Sequence, residues 1–201
     1  MPDDDVHEME LRLLQHARDG DREARRALFE RYREVAFRVA VRVVGHHDDA
    51  LDVVQDSFIK AFDALASFQG DAAFKTWLMR IVNNRALDQI RSRRVRLAVS
   101  LDQGTDEARP ASLPDHGEDR PLEQMDRRES AERIQMAMSR LPPAQQAVMA
   151  LYVGGELTYG QIAEIVGVPV GTVMSRIFHA RRQLHEMLPD LAGHDRSGSE
   201  S

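Results

Sequence analysis

Apolar residues recur at intervals of three and four along most of this chain, and breaks in that rhythm divide it into helices. The first helix is predicted over roughly residues 8–18. Gly20-Asp21 interrupts it, and Asp21 is placed to cap a second helix running to about Val44. Gly45-His46-His47-Asp48 reads as a turn, with Asp48 or Asp49 capping a third helix that runs to about Ala66. The segment SFQGDAAF is a loop centred on Gly70. A fourth helix follows from about Asp71 to Arg94, turning Phe74, Trp77, Leu78, Ile81 and Val82 inward and Thr76, Met79, Arg80, Asn83 and Leu87 to the side away from Phe74. Periodicity then lapses, and residues 97–121 read as a linker with prolines at 110, 114 and 121. Helices resume over 122–189. LPPAQQAVMALY forms one, Thr158 and Gln161 make a capping box for the next, Gly167 ends it, and Pro169 opens the last. Residues 1–7 and 190–201 are expected to be disordered. The expected fold is all-α, with two small helical domains, 8–96 and 122–189, joined by a flexible acidic linker.

The last helix breaks the usual amphipathic rule. With Val173 at the centre of a face, Ile177, Ala180 and Leu184 of GTVMSRIFHARRQL fall within about 40° of it. Phe178 lies nearly opposite, among Ser175, His179 and Arg182. Two helices joined by the tight turn Val166-Gly167-Val168-Pro169 match a helix-turn-helix, whose second helix enters the major groove of DNA. An exposed aromatic ring then has a use, since it can pack on a thymine methyl or a sugar. Thr172, Ser175 and Arg176 can donate to phosphates or bases, and Arg181 and Arg182 suit phosphates.

Composition narrows the possibilities. Charged residues are 30% and aromatics 5%, which suits helical domains with modest cores. There is no cysteine, so disulfides, thiolate zinc sites and cysteine nucleophiles are excluded. The acidic start MPDDDVHEME does not read as a signal peptide, and no stretch approaches the roughly 18 apolar residues of a membrane span. A cytoplasmic location is expected. The net charge of −6 by itself argues against nucleic acid, but the whole excess of acid lies between Ala98 and Asp126. Just before it, Arg80, Arg85, Arg91, Arg93, Arg94 and Arg96 face only Asp88. Segregation of sign matters more than the total.

In this order along the chain, ALFERYREVAFRVAVRVVG, DALDVVQDSFIKAF and FQGDAAFKTWLMRIVNNRALDQIR resemble the second conserved region of extracytoplasmic-function (ECF) sigma factors of bacterial RNA polymerase. LPPAQQAVMALYVGGELTY and LTYGQIAEIVGVPVGTVMSRIFHARRQL resemble their fourth. The sigma-E-like subgroup is the nearest in pattern. The resemblance implies a promoter-specificity subunit with no enzyme activity of its own and no cofactor or metal. Its fourth region would read the duplex −35 element through Thr172, Met174, Ser175, Arg176, Phe178, His179, Arg181 and Arg182. Its second region would read the −10 element as a melted single strand through Phe68, Gln69, Gly70, Asp71, Arg80, Asn83, Asn84, Arg91 and Arg94. Asp52, Gln55, Asp56 and Lys60 would meet the clamp coiled coil of core RNA polymerase. An anti-sigma factor is an expected partner, and membrane contact is expected only through it.

The chain departs from the family pattern in three places. Met174 stands where the family usually has Lys or Arg, His179 where Arg is common, and DALD where DAED is commoner, which removes an acid at Leu51. A second class of function fits residues 158–188 alone: a stand-alone regulator binding duplex DNA as a dimer. The pair His46-His47-Asp48-Asp49 suggests a metal-dependent phosphohydrolase only if further ligands converge on it, and a turn with a helix cap accounts for it better.

The linker has a physical role in the family reading. A random coil of about 24 residues holds its ends roughly 27 Å apart, whereas elements some 20–25 base pairs apart are separated by about 70–85 Å. Its acid run is expected to extend by self-repulsion, to lie in a basic polymerase channel, and to screen the arginine surfaces of the free protein.

Overall fold

Capping and turn chemistry set most of the helix ends. Asp21 accepts from the backbone N–H groups of Glu23 and Ala24 and starts α2, Arg22–Val44, which Gly45 closes in the left-handed region at φ +81°. Before it, α1 covers Pro2–Arg18. The backbone is therefore helical from Pro2 onward, where disorder of residues 1–7 was expected, and proline is tolerated in a first helical turn. The computed structural model describes the backbone of residues 2–70, 72–101 and 121–190, and side chains within 8–70, 72–93 and 129–190.

Helix α3, His47–Asp63, is preceded by His46, which makes no side-chain cap. The expected caps Asp48 and Asp49 lie instead inside its first turn, where acid favours the dipole. A 3-10 turn, Leu65–Ser67, takes the place of the expected last helical residues. Helix α4 runs Phe74–Leu101, starting later than Asp71 and passing Arg94. After the linker come α5 (Pro121–Ser139), α6 (Pro143–Gly155), α7 (Tyr159–Val166) and α8 (Val170–Met187). The capping box of Thr158 and Gln161 is present, and Gly167 ends α7 at φ +69°. Every regular element among the described residues is helical. The acid run of the linker and residues 191–201 lie outside them.

Helix α2 is the central element. It packs on α1, α3 and α4 of its own half and on α5 and α6 of the other. The two halves therefore share one continuous hydrophobic core, from Leu14 and Leu28 through Phe58, Phe74 and Leu78 to Leu151, Ile162 and Ile177. Two glutamines join the halves at the end of α2. Gln146 Nε2 donates to the Val43 carbonyl at 2.9 Å and the Arg42 carbonyl at 3.3 Å, and Gln135 Nε2 donates to the Arg42 carbonyl at 3.4 Å. These carbonyls belong to the last turn of a helix, where no intrahelical donor is left to satisfy them.

Candidate nucleic-acid interface

Helix α8 sits across α7 at a bend of 101°, the geometry of a helix-turn-helix. Val173, Ile177 and Ala180 are buried and fasten it to α6 and α7. On the other face Met174 is 52% exposed and Phe178 64%. Ser175, His179, Arg181 and Arg182 are also exposed, and Thr172 and Arg176 are half-buried. The Phe178 ring stands edge-on to His179 at 5.5 Å. Arg181 lies over the Tyr152 ring at 5.8 Å, and Arg182 pairs with Glu186 at 3.7 Å. The eight residues expected to read duplex DNA thus lie on one helix, with an apolar centre and basic flanks.

The residues expected to capture a melted strand are divided. Gln69 and Gly70 are exposed at the tip of their loop, and Gly70 needs its left-handed φ of +82°. Asp71 lies outside the described residues, as does the Arg94 side chain. Phe68 does not fit the expectation. It is buried against Trp77 at 5.0 Å and Phe74 at 5.9 Å, in a cluster that Tyr32 joins at 5.5 Å from Phe74. The reason is apolar burial: an aromatic ring at the foot of an exposed loop gains more from the core than from water. Sequence reasoning missed Arg18, which donates from α1 to the Leu65 carbonyl at 3.2 Å and to the Phe68 carbonyl, and so fixes this loop. Nothing in the local pattern points to a contact 47 and 50 positions away.

Along α4, Asn84 and Arg91 are exposed, and Arg91 pairs with Asp88 at 2.9 Å. Asn83, expected on an open face, is only 2% exposed. Arg80 is turned to α7, where its Nη2 donates to the Glu164 carbonyl at 3.0 Å and the Glu164 carboxylate at 3.3 Å. Thr76 and Met79 on the same side are buried too. The expected reading side of α4 is therefore covered, because α6 and α7 of the other half lie on it. Asn83 Oδ1 and Arg80 Nε are buried with no hydrogen-bond partner among the described residues.

On α3, Asp52, Gln55, Asp56 and Lys60 are all exposed, on one side of the helix. Asp56 is partly engaged, receiving the Arg85 guanidinium at 2.7 and 2.9 Å. Beside them a groove of about 620 Å³ is lined by apolar side chains, Leu51 and Val54 among them, and by the charged Arg33, Glu34 and Arg38. Leu51 is 48% exposed, so the departure from DAED puts an apolar side chain on this surface. His46, at the α2–α3 turn, is held below its ordinary pKa, first by burial and then by the Arg93 guanidinium. No group of three or more His, Asp or Glu residues is arranged to hold a metal among the described residues. No single described helix is long and apolar enough to cross a membrane.

Two family descriptions match this chain: Sigma-70 region 2 over residues 28–96 and Sigma-70 region 4 over residues 131–184. The chain is 34% identical to the RNA polymerase sigma-H factor of Pseudomonas aeruginosa, over 92% of its own length and 97% of the relative's. It is 33% identical to the ECF RNA polymerase sigma-E factor of Haemophilus influenzae, over 89% and 95%. Among solved structures it is similar in fold to CnrH, in complex with the cytosolic domain of CnrY. The TM-score is 0.65 at 23% identity, covering 88% of this chain and 95% of that one. It is also similar to the sigma factor RpoE of Bartonella quintana, in complex with the anti-sigma factor NepR, with a TM-score of 0.60 at 24% identity over 92% and 98%.

Proposed function

This chain belongs to the extracytoplasmic-function sigma factors, which bind bacterial core RNA polymerase and direct it to promoters, and from that premise we propose a division of promoter reading between its two halves. Helix α8 reads the −35 element as duplex through the eight residues named above. The Gln69-Gly70-Asp71 loop and α4 take the −10 element as a melted strand, through Asn84, Arg91 and Arg94, with Arg80 and Asn83 joining once α7 leaves. Stacking and pocket contacts are worth about 1–3 kcal/mol per captured base, enough to offset the loss of about 1.4 kcal/mol per base-pair step. The observation that carries this reading is the open face of α8, where Val170, Met174 and Phe178 are exposed in one row beside the arginines, since a contiguous exposed apolar patch marks an interaction site.

Asp52, Gln55, Asp56 and Lys60 meet the clamp coiled coil, with Leu51 adding apolar contact. The chain works in the cytoplasm, where promoters are, and an anti-sigma factor holds it in reserve. The complexes of the two similar structures support that partner class. With Met174 and His179 in place of cations, α8 makes fewer bidentate guanine contacts and leans on methyl and shape contacts. Strong guanine dependence opposite Met174 in a promoter scan would contradict this.

The reading is tested by reconstituted transcription. The chain with core polymerase should initiate from discrete promoters selected out of a randomised library, while the chain alone binds the same DNA weakly. Tight binding of the chain alone to a palindrome, with no initiation when core is added, would favour the dimeric regulator instead.

A further inference from the structure

The loop that carries Gln69 and Gly70 is held from outside by one side chain of α1. We propose that Arg18 is a positioning residue for base capture: its guanidinium sets the geometry of this loop and thereby the base preference at the −10 element. The proposal rests on the assignment of the loop to strand capture made above. Arg18 is the last residue of α1 and lies before residue 28, where the match to Sigma-70 region 2 begins. Its Nε donates to the Leu65 carbonyl at 3.2 Å and its Nη2 to the Phe68 carbonyl. These two donors share one edge of the planar guanidinium. A single rigid group therefore joins the first residue of the 3-10 turn Leu65–Ser67 to the residue just after it. The Leu65 carbonyl also accepts from the Phe68 N–H at 3.2 Å, which closes the turn.

Arg18 can hold the loop because its own helix is held. Leu14 and Ala17 of α1 are buried in the core. Arg25 of α2 fixes the end of α1, its Nε donating to the Ala17 carbonyl at 3.0 Å. Upstream in α1, Glu10 Oε1 accepts from the Tyr32 hydroxyl at 2.6 Å, and the Tyr32 ring stands 5.5 Å from Phe74. Phe68 is thus fixed twice, its ring by Trp77 and Phe74 and its carbonyl by Arg18. The Phe68–Gln69 peptide is trans, so a fixed carbonyl also fixes the direction of the Gln69 N–H on the opposite side. Arg18 is exposed, so water replaces the guanidinium on both carbonyls when it is removed, and the fold loses little. Water does not supply one planar group joining the two. Recognition needs its groups within about 0.5 Å of the productive geometry. A loop released from Arg18 still meets the strand but discriminates less between bases.

The test uses the full chain with core polymerase on a promoter that the parent selects from a randomised library, with each base of its −10 element varied in turn. Initiation by the parent should prefer one base at the position the loop captures. Arg18→Ala should cut that preference roughly fivefold or more. Preferences at the −35 element, affinity for core polymerase and the midpoint of thermal unfolding should stay close to the parent's. Arg18→Lys keeps the stem and the charge but offers a point charge in place of a fork, so it should behave like Arg18→Ala. It also serves should the alanine variant fail to fold. An Arg18→Ala chain with the parent's −10 preferences overturns the proposal. So does a uniform loss across all −10 bases with a slope of log affinity against log salt lowered by about 1, which would make Arg18 a phosphate contact. Full recovery of the preference by lysine overturns it as well, since charge alone would then suffice. If a Gln69→Ala, Asp71→Ala chain keeps the parent's −10 preferences, the assignment of the loop to strand capture itself falls, and this proposal with it.

Discussion

Helices α8 and α4 are both proposed to read promoter DNA, yet the face proposed for one is open and that proposed for the other is shut. Phe178 is 64% exposed, whereas Asn83 is 2% exposed. The difference lies in what each helix packs against. Helix α8 is anchored along one side, mostly by α6 and α7 of its own half, so the opposite side is free by geometry. Helix α4 packs on α2 and α3 through Phe74, Leu78, Val82 and Ala86, and then again on α6 and α7 through its second side. A recognition surface that doubles as a docking surface is hidden until the docking partner leaves, even when both lie on one chain.

Substitutions can sharpen that contrast. The largest effect is expected within α8. Ile177→Ala should cost about 2–5 kcal/mol of stability in chemical denaturation, while Phe178→Ala should stay within about 0.5 kcal/mol and instead cut promoter-specific initiation. If both destabilise equally, the open face of α8 is structural after all. On α4 the prediction inverts. Asn83→Leu should stabilise the closed chain by roughly 1–3 kcal/mol, by removing an unsatisfied buried oxygen, and yet abolish initiation. A smaller effect is expected at the basic flank, where Arg181→Ala with Arg182→Ala should lower the slope of log affinity against log salt by about 2 for holoenzyme on the upstream element. An unchanged slope would remove both arginines from the phosphate contacts.

The smallest effect concerns His46. Its pKa is lowered, so the folded state prefers the neutral ring and the unfolded state binds the proton more readily. Its contribution is therefore complete above about pH 6.5 and is lost as pH falls through the lowered value. Parent and His46→Gln chains should differ in the slope of stability against pH only below that point. Identical slopes from pH 7.5 to 5 would show that His46 is not under this constraint.

How much of this was legible in the sequence depended on range. The Asp21 cap, the Thr158 capping box, the Gly167 stop and the buried stripe Val173-Ile177-Ala180 are set by neighbours a few positions away, and local pattern finds them. Extra cues existed for the beginning of α1, in its proline and aspartates, but polar content alone suggested disorder. Phe68 was misread because a loop residue was judged by its neighbours in sequence rather than by Trp77 and Phe74, which close over it. The burial of Asn83 and the pairing of Arg80 with Glu164 had no local signal, because the partner lies 84 positions on, beyond the linker. Gly154 carried a hint of the seam between the halves in its type, since a glycine inside a helix often marks close approach of another backbone.

The central claim is that these two halves rest together in the free chain and work apart on a promoter. Distance measurement between a fluorophore on α3 and one on α5 tests it most directly, first in the free chain and then in the initiating complex with core polymerase. The account predicts a short distance when free and a separation greater by tens of ångströms on promoter DNA. A transcribing complex that kept the short distance would contradict it.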